Sequence, residues 1–102
     1  MFGSLVKQPN ELFTIAGEFD DVLDTDETIV LGSSSATAID GAGTDCSATF
    51  VVPGSIAVSG TQLRCKIQGG TVALTPYKVT FLAGTSLGNV YEVDAITTIV
   101  DY

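Results

Sequence analysis

Residues 61–68, TQLRCKIQ, alternate between polar and apolar side chains. Leu63, Cys65 and Ile67 share one parity, and a polar or charged side chain occupies every position between them. Because successive side chains of a strand point to opposite faces, this pattern is typical of a strand with one face buried. Ser59-Gly60 precedes the stretch and Gly69-Gly70 follows it, and both pairs are turn signals. The stretch therefore predicts a half-buried strand that is bounded by turns.

Other short stretches on both sides have strand-like alternation or composition. The predicted strands are residues 12–19, 28–34, 46–52, 56–58, 61–68, 77–83 and 90–100, and residues 33–39 are predicted to be extended, as an edge. In the last strand Tyr91 and Val93 lie on one face, whereas Ile96 and Val100 lie on the other. This change of parity near Ala95 predicts a β-bulge, which inserts one extra residue into the pairing.

The length of 102 residues suits one domain. Six or seven short strands at a spacing of about ten residues predict an all-β fold, an immunoglobulin-like antiparallel β-sandwich, over residues 12–102. Residues 1–11 have no strong period, and we interpret them as an N-terminal arm. Phe2, Leu5 and Val6 are the apolar side chains by which this arm would dock on a partner. We therefore expect removal of residues 1–10 to leave the fold intact and to weaken assembly.

Composition and charge narrow the classes of partner. Hydrophobic residues make up 45% of the chain, which argues against intrinsic disorder. The net charge of -8 argues against nucleic acids and anionic membranes as partners. The first residues show no basic segment followed by an apolar one, so we expect the chain to mature in the cytoplasm where it is made. In that compartment Cys46 and Cys65 are predicted to be free thiols.

The residue inventory argues against an enzyme. The chain has no histidine, so Ser-His-Asp and Cys-His arrangements cannot be built within it. Asp24-Thr25-Asp26 lacks the glycine of an aspartic protease turn, and Gly41-Ala42-Gly43 is followed by a predicted strand, not by the helix of a dinucleotide site. We accordingly assign no catalytic residue, no cofactor and no metal.

An acidic loop is the strongest candidate for a site of another kind. Its members are Asp20, Asp21, Asp24, Asp26 and Glu27. Calcium takes several carboxylate oxygens, but the sixth position of a loop starting at Asp24 is Ile29 where an EF-hand has glycine. A solvated turn is the favoured interpretation, and calcium binding is the alternative. Glycan binding is a further alternative, although Tyr77 and Tyr91 lie in strand patterns that predict core positions.

Several short motifs carry a resemblance to a known family. These are the lead-in Lys7-Gln8-Pro9-Asn10-Glu11, the strand end KIQGGT at residues 66–71, and YKVT at residues 77–80. Over most of its length the chain resembles the small immunoglobulin-like proteins encoded among the tail and head–tail genes of tailed bacteriophages, some of which are fibre–tail adaptors.

The resemblance implies a virion protein that is assembled in the host cytoplasm and is present in several copies, in a ring. Its partners would be other phage structural proteins, since it would join a tail tube, nozzle or neck to fibres by protein–protein contacts. A capsid decoration or cement protein is the alternative within the virion. A calcium- or glycan-binding β-sandwich module is the alternative outside it.

Overall fold

Two sheets pack face to face in the protein. The computed structural model describes the backbone of residues 2–100 and the side chains of residues 6–100. The strands are β1 (Phe2–Lys7), β2 (Phe13–Glu18), β3 (Ser35–Ile39), β4 (Ala57–Ser59), β5 (Gln62–Ile67), β6 (Tyr77–Gly84) and β7 (Val90–Ile99). One sheet has the order β1-β7-β6-β3, and the other has the order β2-β5-β4. This arrangement confirms the predicted immunoglobulin-like β-sandwich.

The core lies between the sheets and is built from alternate residues of each strand. On β5, Leu63, Cys65 and Ile67 are fully buried, as their parity predicts. Gly17 of β2 makes room for Phe81 of β6, because a Cβ atom at position 17 would lie 3.0 Å from Cδ2 of that ring. The two sheets therefore approach closely at this point.

The cysteines are free thiols, as predicted. Cys65 is buried in the core, and Cys46 is half-buried at its margin. Burial raises the pKa of the Cys65 thiol to about 11. Burial also raises the pKa of Cys46, and the charges of Asp40 and Asp45 act in the same direction. Because the thiolate is the reactive form, neither cysteine is placed to act as a nucleophile.

Tyr77 anchors the start of β6. Its ring stacks on that of Phe50, with the centroids 4.4 Å apart and the planes 11° from parallel. Its hydroxyl accepts a hydrogen bond of 3.0 Å from the backbone N–H of Thr71. A tyrosine at this place that bonds to the upstream backbone is the tyrosine corner of immunoglobulin-like sandwiches.

Replacing Tyr77 by phenylalanine removes only this hydroxyl. We expect Tyr77→Phe to lower the free energy of unfolding by about 1 kcal/mol, because the N–H of Thr71 loses its partner. Urea denaturation at neutral pH measures the change. A midpoint equal to that of the wild type would contradict this role for the tyrosine.

The first residues are not the separate arm that the sequence predicts. Phe2–Lys7 form β1, which pairs in parallel with β7 from Phe2↔Asp94 to Lys7↔Ile99. The segment FGSLVK has no regular alternation, and its partner lies at the other end of the chain. Local sequence therefore gives no signal for this strand.

Lys7 ends β1 with a buried ammonium group. The side chain is fully buried, and Nζ donates to the backbone carbonyls of Gln8 at 2.8 Å, Pro9 at 3.3 Å and Gly69 at 2.6 Å. Burial lowers the pKa of Lys7, although the charge of Glu11 opposes this shift. A buried cation needs such partners, so Lys7 joins β1 to the turn after β5.

Two predicted strands are wrong. Residues 28–34 form only an isolated bridge, Ile29↔Thr85, and a turn of 3-10 helix at Leu31–Ser33. Residues 46–52 contain one turn of α-helix, α1 (Ser47–Phe50). The Asp45 carboxylate accepts the backbone N–H and the hydroxyl of Ser47 at 2.9 and 2.7 Å, and this local bonding favours a turn over a strand.

The predicted bulge near Ala95 is also wrong. Val93, Ala95, Thr97 and Ile99 are buried in unbroken alternation, and the pairing of β7 with β6 is continuous. Thr97 is therefore buried in the core, whereas the more apolar Ile96 lies on the outer face, where it is half-buried. By contrast, the expected edge within residues 33–39 is confirmed by β3, which is the last strand of its sheet.

Candidate functional site

The predicted docking residues lie on a sheet edge. Phe2, Leu5 and Val6 all belong to β1, which is the outermost strand on its side of the sheet. Val6 is 57% exposed, and its partner in β7 is Thr98. The side chains of Phe2 and Leu5 lie outside the described residues. The structure thus places this candidate surface on the sandwich itself.

The acidic loop is not a cluster of equivalent carboxylates. Asp20, Asp21, Asp24 and Asp26 are exposed, whereas Glu27 is buried. Among side chains of residues 6–100, no three of the types His, Cys, Asp and Glu come together as a metal ion would need. The loop therefore offers surface charge, and its geometry does not favour the calcium alternative.

Glu27 instead links the loop to the turn between β6 and β7 by hydrogen bonds. One carboxylate oxygen, Oε2, accepts from the hydroxyl of Thr85 and from Nδ2 of Asn89, the latter at 3.0 Å. The other, Oε1, accepts from the backbone N–H of Asp24 at 3.0 Å. The hydrogen bond from Thr85, followed by that from Asp24, holds the pKa of Glu27 below its ordinary value of 4.5.

Glu18 has a similar structural role at the end of β2. Oε2 accepts from the hydroxyl of Thr61 and from the backbone N–H groups of Phe19 and Asp20, the last two at 3.1 Å. Oε1 accepts from Nε2 of Gln62 at 3.1 Å. The bond from Thr61 is the main cause that lowers the pKa of Glu18, and partial burial opposes it.

Glu18 and Glu27 make the stability of the fold depend on pH in the acid range. Since their pKa values are lower in the folded state, the unfolded state binds more protons between those values and about 4.5. Their contribution is therefore complete above that window and is lost as the pH falls through it. We expect the difference in melting temperature between the wild type and Glu27→Gln to be largest near neutral pH and to shrink on acidification.

Thermal unfolding measured across this pH range tests the expectation. Asp21→Asn is the matched control, because Asp21 is exposed and should leave the pH dependence of the wild type unchanged. Parallel curves for the wild type and Glu27→Gln would contradict the role of this carboxylate.

A groove opens beside β3, on the side of the sheet opposite to β1. We call it the β3 groove, and its main lining residues are Ser34, Ala36, Ala48, Val51, Val52 and Ile56. Its volume is about 550 Å³, and its lining is mostly apolar and carries no charge. It lies between β3 and the segment that runs from α1 to β4.

Only one wall of this groove could be predicted from the sequence. The small residues at positions 33–39 indicated an edge, which β3 confirms. The opposite wall depends on the turn at α1, and residues 46–52 were predicted as a strand. No local pattern could show that the two segments face each other across a gap.

In the described residues, the four-stranded sheet thus has β1 and β3 as its outermost strands, and an apolar groove lies beside β3. In this part of the chain no helix is long and apolar enough to cross a membrane. No protein-family model matches the sequence, and no curated protein matches it. Any function must therefore be argued from the sequence motifs and from these surfaces.

Proposed function

We propose that the chain is a non-enzymatic structural protein of a tailed bacteriophage virion. It acts as an adaptor that joins tail or neck components to fibres by protein–protein contacts, and it works in several copies arranged in a ring. It is assembled in the host cytoplasm. The resemblance of the motifs around residues 66–80 to phage immunoglobulin-like proteins suggests this assignment.

The observation that carries the proposal is the pair of open edges on one sheet. β1 and β3 are the outermost strands of the four-stranded sheet, on opposite sides of it. An adaptor contacts at least two kinds of neighbour, other copies in the ring and a tail or fibre protein, so it needs more than one surface. Opposite edges of one sheet supply two such surfaces, and each presents backbone groups that can pair with another chain.

Electron cryomicroscopy of purified particles tests the proposal. The expected result is a ring of this chain at the tail or neck, in contact with a fibre component. Copies spread over the capsid lattice would identify a cement protein and contradict the adaptor function. Absence from the particle would contradict a virion protein altogether.

Val6 offers a test of the β1 edge. We expect Val6→Asp to reduce incorporation into particles by about tenfold, since a carboxylate on an apolar docking surface loses hydration at a cost of more than 1 kcal/mol. Quantitative mass spectrometry of purified particles measures the incorporation.

Val90→Asp is the matched control for this substitution. Val90 is 64% exposed, close to the 57% of Val6, and it lies at the end of β7 that β1 does not reach. Both variants should fold, as thermal unfolding will show. Equal incorporation of the two would contradict docking through the β1 edge.

A further inference from the structure

We infer that the β3 edge and the β3 groove together bind an extended, basic segment of a partner protein, which adds to the sheet as a further strand. This inference rests on the proposed function, because an adaptor needs a surface for a second protein, and it names the chemistry of that partner. Three observations carry it: the backbone groups at Ala36, the apolar groove and the charge around it.

The backbone of β3 leaves one outward-facing residue, Ala36, for pairing with another strand. Ala38 turns its backbone away from β6, since its N–H donates to Ser47 Oγ at 2.8 Å and its carbonyl accepts from the N–H of Cys46 at 2.9 Å. In an antiparallel ladder the direction alternates along the strand, so Ala36 faces the same side as Ala38. Within residues 6–100, Ala36 has no hydrogen-bond partner on that side. A partner strand would supply both an acceptor and a donor there.

The groove receives the side chains that such a strand would turn inward. Side chains of a strand next to Ala36 alternate between the two faces of the sheet. Those on the core side would enter the β3 groove and contact Val51 and Ile56. Both residues belong to the segment between α1 and β4. Small or medium apolar residues at alternate positions fit this lining, because they extend the core without leaving a buried polar group unpaired.

The added strand would occupy a position that a strand of the same chain occupies in larger domains of this fold. Variable-type immunoglobulin domains have a further strand at this edge of the corresponding sheet. Here the chain turns away after β3 into the loop at residues 40–45 and then into α1. The partner would thus complete the sheet, by the mode known as strand addition.

Charge selects the partner of the β3 groove. A chain with a net charge of -8 attracts a basic segment. Asp40 and Asp45 stand at the end of β3, and Asp45 Oδ1 accepts from the hydroxyl of Ser47, a residue of the groove wall. A lysine or arginine that follows the inserted strand would lie beside these carboxylates.

The probe is a blocked peptide of alternating valine and threonine between terminal lysines, added to the full-length protein. Amide chemical shifts measured by NMR should change along β3 and at residues 47–56, and hydrogen exchange at Ala36 N–H should slow. A peptide with glutamates in place of the lysines should bind about tenfold more weakly, and added salt should reduce this difference. A peptide N-methylated on its pairing side should not bind at β3, because it cannot form the ladder.

Two variants locate the binding. Ala36→Pro removes the outward N–H, which an edge strand tolerates where that N–H faces solvent, and should weaken binding about tenfold. Ala48→Lys puts a cation on the exposed wall of the groove and should weaken binding even if the proline variant folds poorly. Ala57→Lys, which is exposed outside the groove, is the matched control and should bind like the wild type.

The outcomes separate this inference from the proposed function. Shifts confined to the β1 edge, tight binding of the N-methylated peptide, or no shifts at β3 would each overturn strand addition at this groove. A ring at the tail in purified particles would leave the adaptor function standing in those cases. Conversely, binding at β3 together with absence from the particle would overturn the adaptor function alone.

Discussion

Removing residues 1–8 is expected to lower the free energy of unfolding by about 3 kcal/mol. The deletion removes β1, its parallel ladder with β7 and the three hydrogen bonds of the Lys7 ammonium group. Each net hydrogen bond contributes roughly 0.5–1.5 kcal/mol, and the entropy gained by the shortened chain offsets part of the loss. The melting temperature should fall by about 10–20 °C.

Thermal and urea unfolding of the truncated protein measure this loss. The full-length variant Lys7→Met is the companion, because it keeps β1 and removes only the ammonium donors. It should lose less stability than the deletion. A truncated protein as stable as the full-length one would contradict the structural role of β1 and would restore the free arm expected from the sequence.

Gly84→Ala is expected to destabilise the fold strongly. A Cβ atom at position 84 would collide with the hydroxyl and carbonyl oxygens of Ser33 and would lie 2.7 Å from its Cβ. The neighbouring chain cannot withdraw freely, because the N–H of Val30 donates to the carbonyl of Gly84 at 2.8 Å and the N–H of Gly84 donates to Ser34 Oγ at 3.1 Å. Such overpacking costs about 3 kcal/mol.

This substitution should also disturb the candidate binding site. Ser34 lines the β3 groove, and the methyl group of an alanine at position 84 would displace residues 33 and 34 away from β6. Urea denaturation gives the change in stability, and peptide titration of the folded fraction gives the change in binding.

Gly32→Ala is the matched control. An added Cβ there meets nothing within 4 Å, so stability should stay within about 0.5 kcal/mol of the wild type. If Gly84→Ala were as stable as Gly32→Ala, the close packing of residues 30–34 on β6 would be contradicted.

The strands that the sequence predicted correctly are those that bury one face. β2 and β5 expose the opposite face to water, so their apolar residues recur at every second position and show which side is buried. β6 shows the same parity through Val79 and Phe81. Burial of one face imposes a pattern that can be read from local sequence.

The failures occur where a distant partner or a single side chain outweighs local pattern. β1 has no alternation and depends on β7 for its hydrogen bonds. Residues 46–52 alternate like a strand, yet the Asp45 carboxylate turns the chain into α1. In β7 the change of parity between Val93 and Ile96 suggested a bulge, whereas the continuous pairing with β6 places Thr97 inside.

The candidate sites were also predicted only in part from the sequence. The sequence identified Val6 as an apolar residue available for docking but placed it on an arm. It grouped Glu27 with four aspartates, although Thr85 and Asn89, in the turn between β6 and β7, bind this carboxylate. It indicated the edge at β3 but not the groove beside it, because Ala36 and Val51 line the groove from different segments.

From its sequence alone, this protein is an acidic, all-β domain of about seven short strands without the histidine-based machinery of many enzymes. Alternation and composition suffice for this prediction, because they indicate which side chains are buried on folding. Tertiary structure alone decided the parallel pairing of β1, the burial of Lys7 and Glu27, and the gap beside β3. Each of these depends on contacts between residues far apart in the chain, which no local pattern encodes.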